Sequence, residues 1–418
     1  MKSFNILHIN QMAKSHTQTD APHLSRGGRA LFVYVLTLLL STYPFVFNLI
    51  LPIPSITILM AVNFFVFFIL TSKNVVSSTK EVFIVCAIQI IGTVLSMAIT
   101  MDFEYYKQVL YILSGLIVIS YIRAVGVKQF LFYYNRFILI IAILGAISSI
   151  LTIILGDRVL LEYTNMDGRP GWLVYFTFTN SNTGSFIRYS GIFDEPGAMA
   201  FWGMFSLLFN KLFVHDKKIE IPLIICLLLT LSLSFIIQIF FYLFFFYFLE
   251  SKISTKITVF FLTILVFLLS YFILDEDSPI YMLTFGRLGI GTSYNLFEDS
   301  SRAVLMDMAK KAWESSPWFG IGTTQFYGGE YMADNPYETL AKDGIIGTAF
   351  LYLPLIISFF KGAKNKDILF ATIILGLGYL QRPFHINFLH YTIMYLFFYI
   401  TMLINKKYIK ERMIYAQV

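Results

Sequence analysis

Long apolar runs separated by short polar connections fill most of the chain. A helix needs about 20 such residues to cross a hydrocarbon core of about 30 Å. Runs of that kind lie near 30–50, 54–72, 82–100, 105–124, 137–155, 197–214, 257–274, 345–361, 368–384 and 388–405. A further run, 221–248, is too long for one crossing, because a helix of that length reaches about 42 Å. It is better read as two short helices turning near Ser232, Leu233 and Ser234. The pattern predicts an all-α integral membrane protein: a polytopic bundle of about twelve spans over 30–405, with polar tails at 1–29 and 406–418.

Two connections are much longer than the rest, at about 156–196 and 275–344. Long connections on a helical scaffold are where function concentrates. The first ends in Arg188-Tyr189-Ser190-Gly191-Ile192-Phe193-Asp194-Glu195-Pro196-Gly197 and passes straight into an apolar helix. In the second, Asp299-Ser300-Ser301 is a helix start. From Arg302 to Glu314 an apolar stripe (Leu305, Met308, Ala309, Ala312) opposes a charged one, a pattern that predicts a helix lying along a membrane surface. Pro317 to Gly322 breaks that helix, and another begins near Asn335 and Pro336.

Composition agrees with the membrane reading: 57% of residues are hydrophobic and 13% charged, too apolar for a soluble globular chain of 418 residues. The net charge of +6 is distributed as a topology signal rather than a nucleic-acid footprint. With both termini in the cytoplasm, the inner connections and the two tails together hold 21 of the 31 Lys and Arg, and the long outer loops are net acidic. The first 29 residues lack the form of a cleaved signal peptide. Cys86 and Cys226 both sit in apolar runs, which excludes a disulfide framework, and there is no metal-ligand spacing. No glycine-rich phosphate loop precedes a helix on the inner side, and no internal repeat is visible. No cofactor is expected, and the energy for a reaction must arrive with the substrate.

Arg188 is the leading candidate for chemistry. A guanidinium keeps its charge and presents paired donors suited to a phosphate or pyrophosphate. Gly191 would let the backbone approach such a ligand. The alternative is an arginine that pairs with Asp194 or Glu195 and orders the loop. Glu195, before Pro196, suits a helix N-terminus, where the dipole favours an acid and capping explains it without catalysis. Arg287 and Arg302 bring two more cations in the second loop, and three converging arginines would neutralise a pyrophosphate. Asn335 and Glu338 have capping-box spacing. Asp334 is left over by that cap and suits a general base. Arg382 and His385, at the outer end of a late span, are candidates to line the same cavity.

At these two loops the chain resembles the bacterial O-antigen polymerase and ligase superfamily, which includes the Wzy-type polysaccharide polymerases. Three stretches carry the resemblance: Arg188 to Pro196; Arg302 to Trp313 with Pro317-Trp318-Phe319-Gly320-Ile321-Gly322 and Phe326; and Asp334-Asn335-Pro336-Tyr337 with Gly344 to Gly347. The resemblance implies a GT-C-like glycosyltransferase on the outer face of the bacterial cytoplasmic membrane. Its substrates would be undecaprenyl-pyrophosphate-linked glycans, polymerised without a metal into O-antigen, capsule or exopolysaccharide. A chain-length regulator and a flippase are the implied partners. Arg188, Gly191, Arg287, Arg302 and Arg382 would hold pyrophosphate and glycan, with Asp334 or Glu195 taking the acceptor's proton. Ligases of this superfamily carry a histidine where this chain has Asp334, so polymerase is the expectation and ligase the alternative. A transporter of lipid-linked sugars is the rival of another class, disfavoured because the spans carry almost no charge and no repeat.

Overall fold

The computed structural model describes residues 28–40, 55–72, 80–164, 170–258, 281, 301–329, 335–363, 365–381 and 388–415. The first helices are α1 (Gly28–Leu40), α2 (Ser55–Ser72), α3 (Lys80–Thr100), α4 (Tyr105–Val125) and α5 (Val127–Leu155). A small sheet follows: β1 (Val159–Thr164), β2 (Pro170–Val174) and β3 (Thr177–Thr179). Next come α6 (Pro196–Phe209), continued by a π-helical turn at Asn210–Val214, then α7 (Lys217–Leu228) and α8 (Leu233–Leu243), itself continued by a π-helical turn at Phe244–Phe248. The remaining helices are α9 (Ser301–Ser315), α10 (Thr323–Gly328), α11 (Glu338–Leu351), α12 (Leu353–Gly362), α13 (Lys366–Gln381) and α14 (Phe388–Tyr415).

Four of these helices are long and apolar enough to cross a membrane: α3, α4, α5, and α6 with its π turn. The pair α11–α12, bent by 47°, makes a fifth if counted as one span. The expected run at 257–274 falls outside the described residues beyond Thr258. Helix α5 begins at Val127, about ten residues before the apolar run expected at 137–155. Its polar first turns stay helical, and the Arg136 guanidinium lies 3.9 Å from the centre of the Phe132 ring.

The first long connection departs from an all-α reading. β1, β2 and β3 form an antiparallel sheet in chain order, with Trp172 opposite Glu162 and Thr179. Val, Leu, Tyr, Thr, Trp and Phe in these segments suit a pleated surface. The sheet lies at the same end of the bundle as the α3–α4 turn, here termed the sheet end. Lys80, Arg123, Lys217 and Lys366 lie at the opposite, lysine end.

The long run at 221–248 is two helices, as its length predicts. The chain leaves α7 after Leu228 and enters α8 at Leu233, with Leu231 at φ +45°. The two arms run back to back. Near the start of α7, the Glu220 carboxylate accepts hydrogen bonds from Tyr242 at 2.6 Å and from Tyr247, both near the end of α8. The run therefore begins and ends at the lysine end, with its tip at the sheet end.

Most of the core lies among α4, α5, α6, α8, α13 and α14. Every residue of α6 from Pro196 to Phe209 is buried, and Phe201, Trp202 and Phe205 form a ring cluster with Tyr379 of α13. Helix α9 forms where the Asp-Ser-Ser start predicts. Its apolar stripe is covered by protein: Ala309 is buried with Phe326 of α10 and Ala341 of α11. Asp307 and Lys311 pair on its charged face at 2.6 Å.

Candidate functional site

Two clusters stand at the sheet end, and both are built from the segments singled out in the sequence. The first is centred on Arg188. Its Nε donates to the carbonyl of Thr230 at 3.0 Å and its Nη2 to the carbonyl of Leu231 at 3.1 Å. The neighbouring Tyr189 hydroxyl donates to the carbonyl of Cys226 at 2.8 Å. These acceptors are the last carbonyls of α7 and of the tip beyond it, where a helix leaves its carbonyls unsatisfied and its dipole favours a cation. The tip residue Leu231 is in a left-handed conformation that a branched side chain adopts at a cost, and the guanidinium holds its carbonyl in place.

The backbone of this segment is equally committed. The Arg188 amide donates to Ser181, and the Arg188 carbonyl accepts from the Thr179 hydroxyl at 2.6 Å. The Gly191 amide donates to Thr177 Oγ1 at 2.8 Å, and its carbonyl accepts from the Phe178 amide at 2.9 Å. Gly191 has φ +66°, and a Cβ there would lie 2.3 Å from Ile141 of α5. Conformation and packing against α5 thus require this glycine, and both its backbone groups are bonded within the protein.

Glu195 is the N-cap residue of α6 in extended conformation. Its carbonyl accepts from Ala198 and Met199, and Pro196 opens the helix. The carboxylate makes no capping bond to the helix amides. Glu195 is buried beside the positive end of a wholly buried helix, and Arg188 one turn of chain away is buried too.

The second cluster is built around the break in α11. Gly344 has φ +63°, and the chain from Pro317 to Gly322 docks into the break. Ile321 and Gly322 donate to the carbonyls of Ala341 and Lys342 at 2.9 and 3.0 Å. Ile345 and Ile346 donate to those of Pro317 and Trp318 at 2.9 and 3.0 Å. Two glycines make this contact possible. A Cβ on Gly320 would lie 2.3 Å from the Lys342 carbonyl carbon, and one on Gly344 2.3 Å from the Phe319 nitrogen. The α3–α4 turn anchors the same assembly from below. Asp102 accepts from the Thr324 amide at 2.6 Å and hydroxyl at 2.7 Å, capping α10. Burial on its own would raise the Asp102 pKa, but the hydrogen bonds from Thr324, Glu104 and Thr323 hold it below the usual carboxylate value.

Beneath the docked loop lies a buried polar group that sequence reading passed over. Lys342 and Asp343 are both buried, 3.4 Å apart, and Tyr105 donates to the Lys342 carbonyl at 3.1 Å. His390 of α14 is fully buried among Tyr379, Tyr352 and Tyr391, and neither of its ring nitrogens has a hydrogen-bond partner among the described residues. Nothing local marks these positions in the sequence, because their burial comes from other elements; Tyr105, for one, stands 237 residues before Lys342.

Asn335 and Glu338 have capping-box spacing but divide the work differently. The Asn335 side chain accepts from the Tyr337 amide at 2.9 Å, while the Glu338 carboxylate accepts from Tyr327 of α10 at 3.0 Å. Ring contacts join the two clusters: Tyr352 to Tyr379 at 5.6 Å, and Tyr379 to Phe201 of α6 at 5.4 Å. Gly378 of α13 packs against Phe201 and Gln238 of α8. Helix α13 therefore points its C-terminal end, just before Arg382, toward the hairpin tip. Arg287, Asp334, Arg382 and His385 themselves lie outside the described residues, as does the side chain of Arg302, whose backbone is in the first turn of α9. No family model, curated protein or solved structure matches this chain.

Proposed function

We propose that this protein is a polytopic glycosyltransferase of the Wzy type. It joins undecaprenyl-pyrophosphate-linked repeat units on the outer face of the bacterial cytoplasmic membrane, with both termini inside. The observation that carries the reading is that both resembling segments are built into one end of one helical scaffold. Arg188 to Pro196 grips the hairpin tip, Pro317 to Gly322 grips the break in α11, and a ring chain through Tyr379 links α6 to the α11–α12 junction. In this reading the end carrying Lys80, Arg123, Lys217 and Lys366 faces the cytoplasm and the sheet end faces outward.

In the proposed reaction an acceptor sugar hydroxyl attacks the anomeric carbon of the donor. The bond from that carbon to the pyrophosphate oxygen breaks, and the lipid pyrophosphate leaves with its charge. Cations stabilise that leaving group better than an acid would, which is the role proposed for Arg188, Arg287, Arg302 and Arg382. Asp334 or Glu195 takes the hydroxyl proton. A low-dielectric site with fixed groups gains most of its rate from positioning and charge. Deleting the gene in its host tests the reading. Surface glycan capped at a single repeat, restored to long chains by the intact gene, supports it; unaltered chain length refutes it.

A further inference from the structure

We propose that the open pocket beside Trp318 is a subsite for a neutral sugar ring of the lipid-linked glycan, a proposal that rests on the glycosyl-transfer reading above. The pocket has a volume of about 550 Å³ and lies between the C-terminal end of α3 and the loop that docks into α11. Trp318 is 62% exposed and stands on a segment whose backbone is pinned on both sides. A rigid backbone carrying an open indole face is a preorganised platform, since little is left to order on binding. Indoles pair an apolar face with a polar edge, which matches the alternating C–H and hydroxyl faces of a pyranose.

The rest of the lining selects among occupants. Ser316 and Gln325 contribute hydroxyl and amide groups to the lining, Thr100 and Ser315 donate theirs to the carbonyls of Ser96 and Ala312, and no lining residue is charged. A phosphate would find no cation there. An acyl chain would strip water from the Ser316 and Gln325 side chains and return no hydrogen bond, a cost of about 1–3 kcal/mol for each group left unsatisfied. An uncharged, hydroxyl-rich ring stacked on an indole suits both halves of the lining.

The test reads binding without turnover. Of the four tryptophans, Trp202 is buried, Trp172 and Trp313 are half-buried, and Trp318 is exposed, so Trp318 dominates the quenchable emission. The intact protein in phosphatidylcholine vesicles is titrated with the lipid-free repeat-unit oligosaccharide released from the host's own polymer, with iodide as quencher. Saturable shielding of at least twofold is expected, lost in Trp318→Phe and shifted about tenfold to higher sugar concentration in Gln325→Ala. Absence of shielding in protein with an unchanged melting profile overturns the proposal. So does strong quenching by brominated phosphatidylcholine, which would make Trp318 a lipid anchor. Shielding without polymer formation would leave a glycan site and remove the reaction; polymer formation without shielding would remove only the subsite.

Discussion

Arg188 donates from Nε to the carbonyl of Thr230 at 3.0 Å, tying the segment before α6 to a hairpin tip 42 residues later. Together with the bond to Leu231 and that from Tyr189 to Cys226, it closes the α7–α8 turn from outside. The residue proposed to hold a pyrophosphate is thus a structural clamp, and the two roles separate experimentally.

A lysine keeps the charge of Arg188 and loses the two-point geometry. Arg188→Lys and Arg188→Ala should both lower thermal stability, each by about 1.5–3 kcal/mol for a charged hydrogen bond lost. Both should reduce polymer formation at least tenfold. Melting by size-exclusion fluorescence and the length profile of the glycan check this. Normal chain length in Arg188→Ala would remove the residue from the mechanism.

Gly344→Ala and Gly320→Ala should fail to accumulate as folded protein, because each sets a methyl group 2.3 Å from backbone atoms at positive φ. Gly376→Ala is the control. That helical glycine has open space around its Cβ position, and the substitution should stabilise by up to about 1 kcal/mol. Equal losses in all three would contradict the docking of the loop into α11.

The apolar runs made most of the helices legible, including the division of 221–248, whose turn begins about three residues earlier than the serines suggested. The sheet was legible in the β-branched and aromatic residues of Val159–Thr164 and Thr177–Thr179, but it was masked by the expectation of a bare loop between spans. The clamps were not legible. Arg188 meets carbonyls, which every residue carries, and Asp102 meets Thr324 across 222 positions, so neither leaves a local signature. Lys342 and Asp343 carry no sequence mark, because their burial depends on distant elements such as α4, whose Tyr105 donates to the Lys342 carbonyl.

The Asp102 cap has a defined pH dependence. A carboxylate whose folded pKa lies below its unfolded value of about 3.9 adds stability that is fully present above that value. The contribution is lost as pH falls through the lower, folded value. Exchange protection of the Thr324 amide should therefore persist at pH 5 and fade only below about pH 4. Asp102→Ala should remove it at every pH, with a loss of about 1 kcal/mol. Protection unaffected by Asp102→Ala would refute the cap.

At the lysine end, Glu220 gathers Tyr242, Tyr247 and Lys217, and so fastens the two arms of the hairpin. Glu220→Leu should lower the melting temperature and make a cysteine at position 242 reactive to a maleimide in the detergent-solubilised protein. Unchanged melting and no labelling would mean that packing alone holds the arms.

The most direct measurement uses the purified protein in liposomes supplied with undecaprenyl-pyrophosphate-linked repeat units from its own host, and resolves the products by size. The account predicts a ladder of longer lipid-linked glycans with no nucleotide or metal added. A single transfer that requires lipid A-core would instead make the protein a ligase. No new glycosidic bond, with labelled substrate crossing the bilayer, would contradict the enzymatic reading altogether.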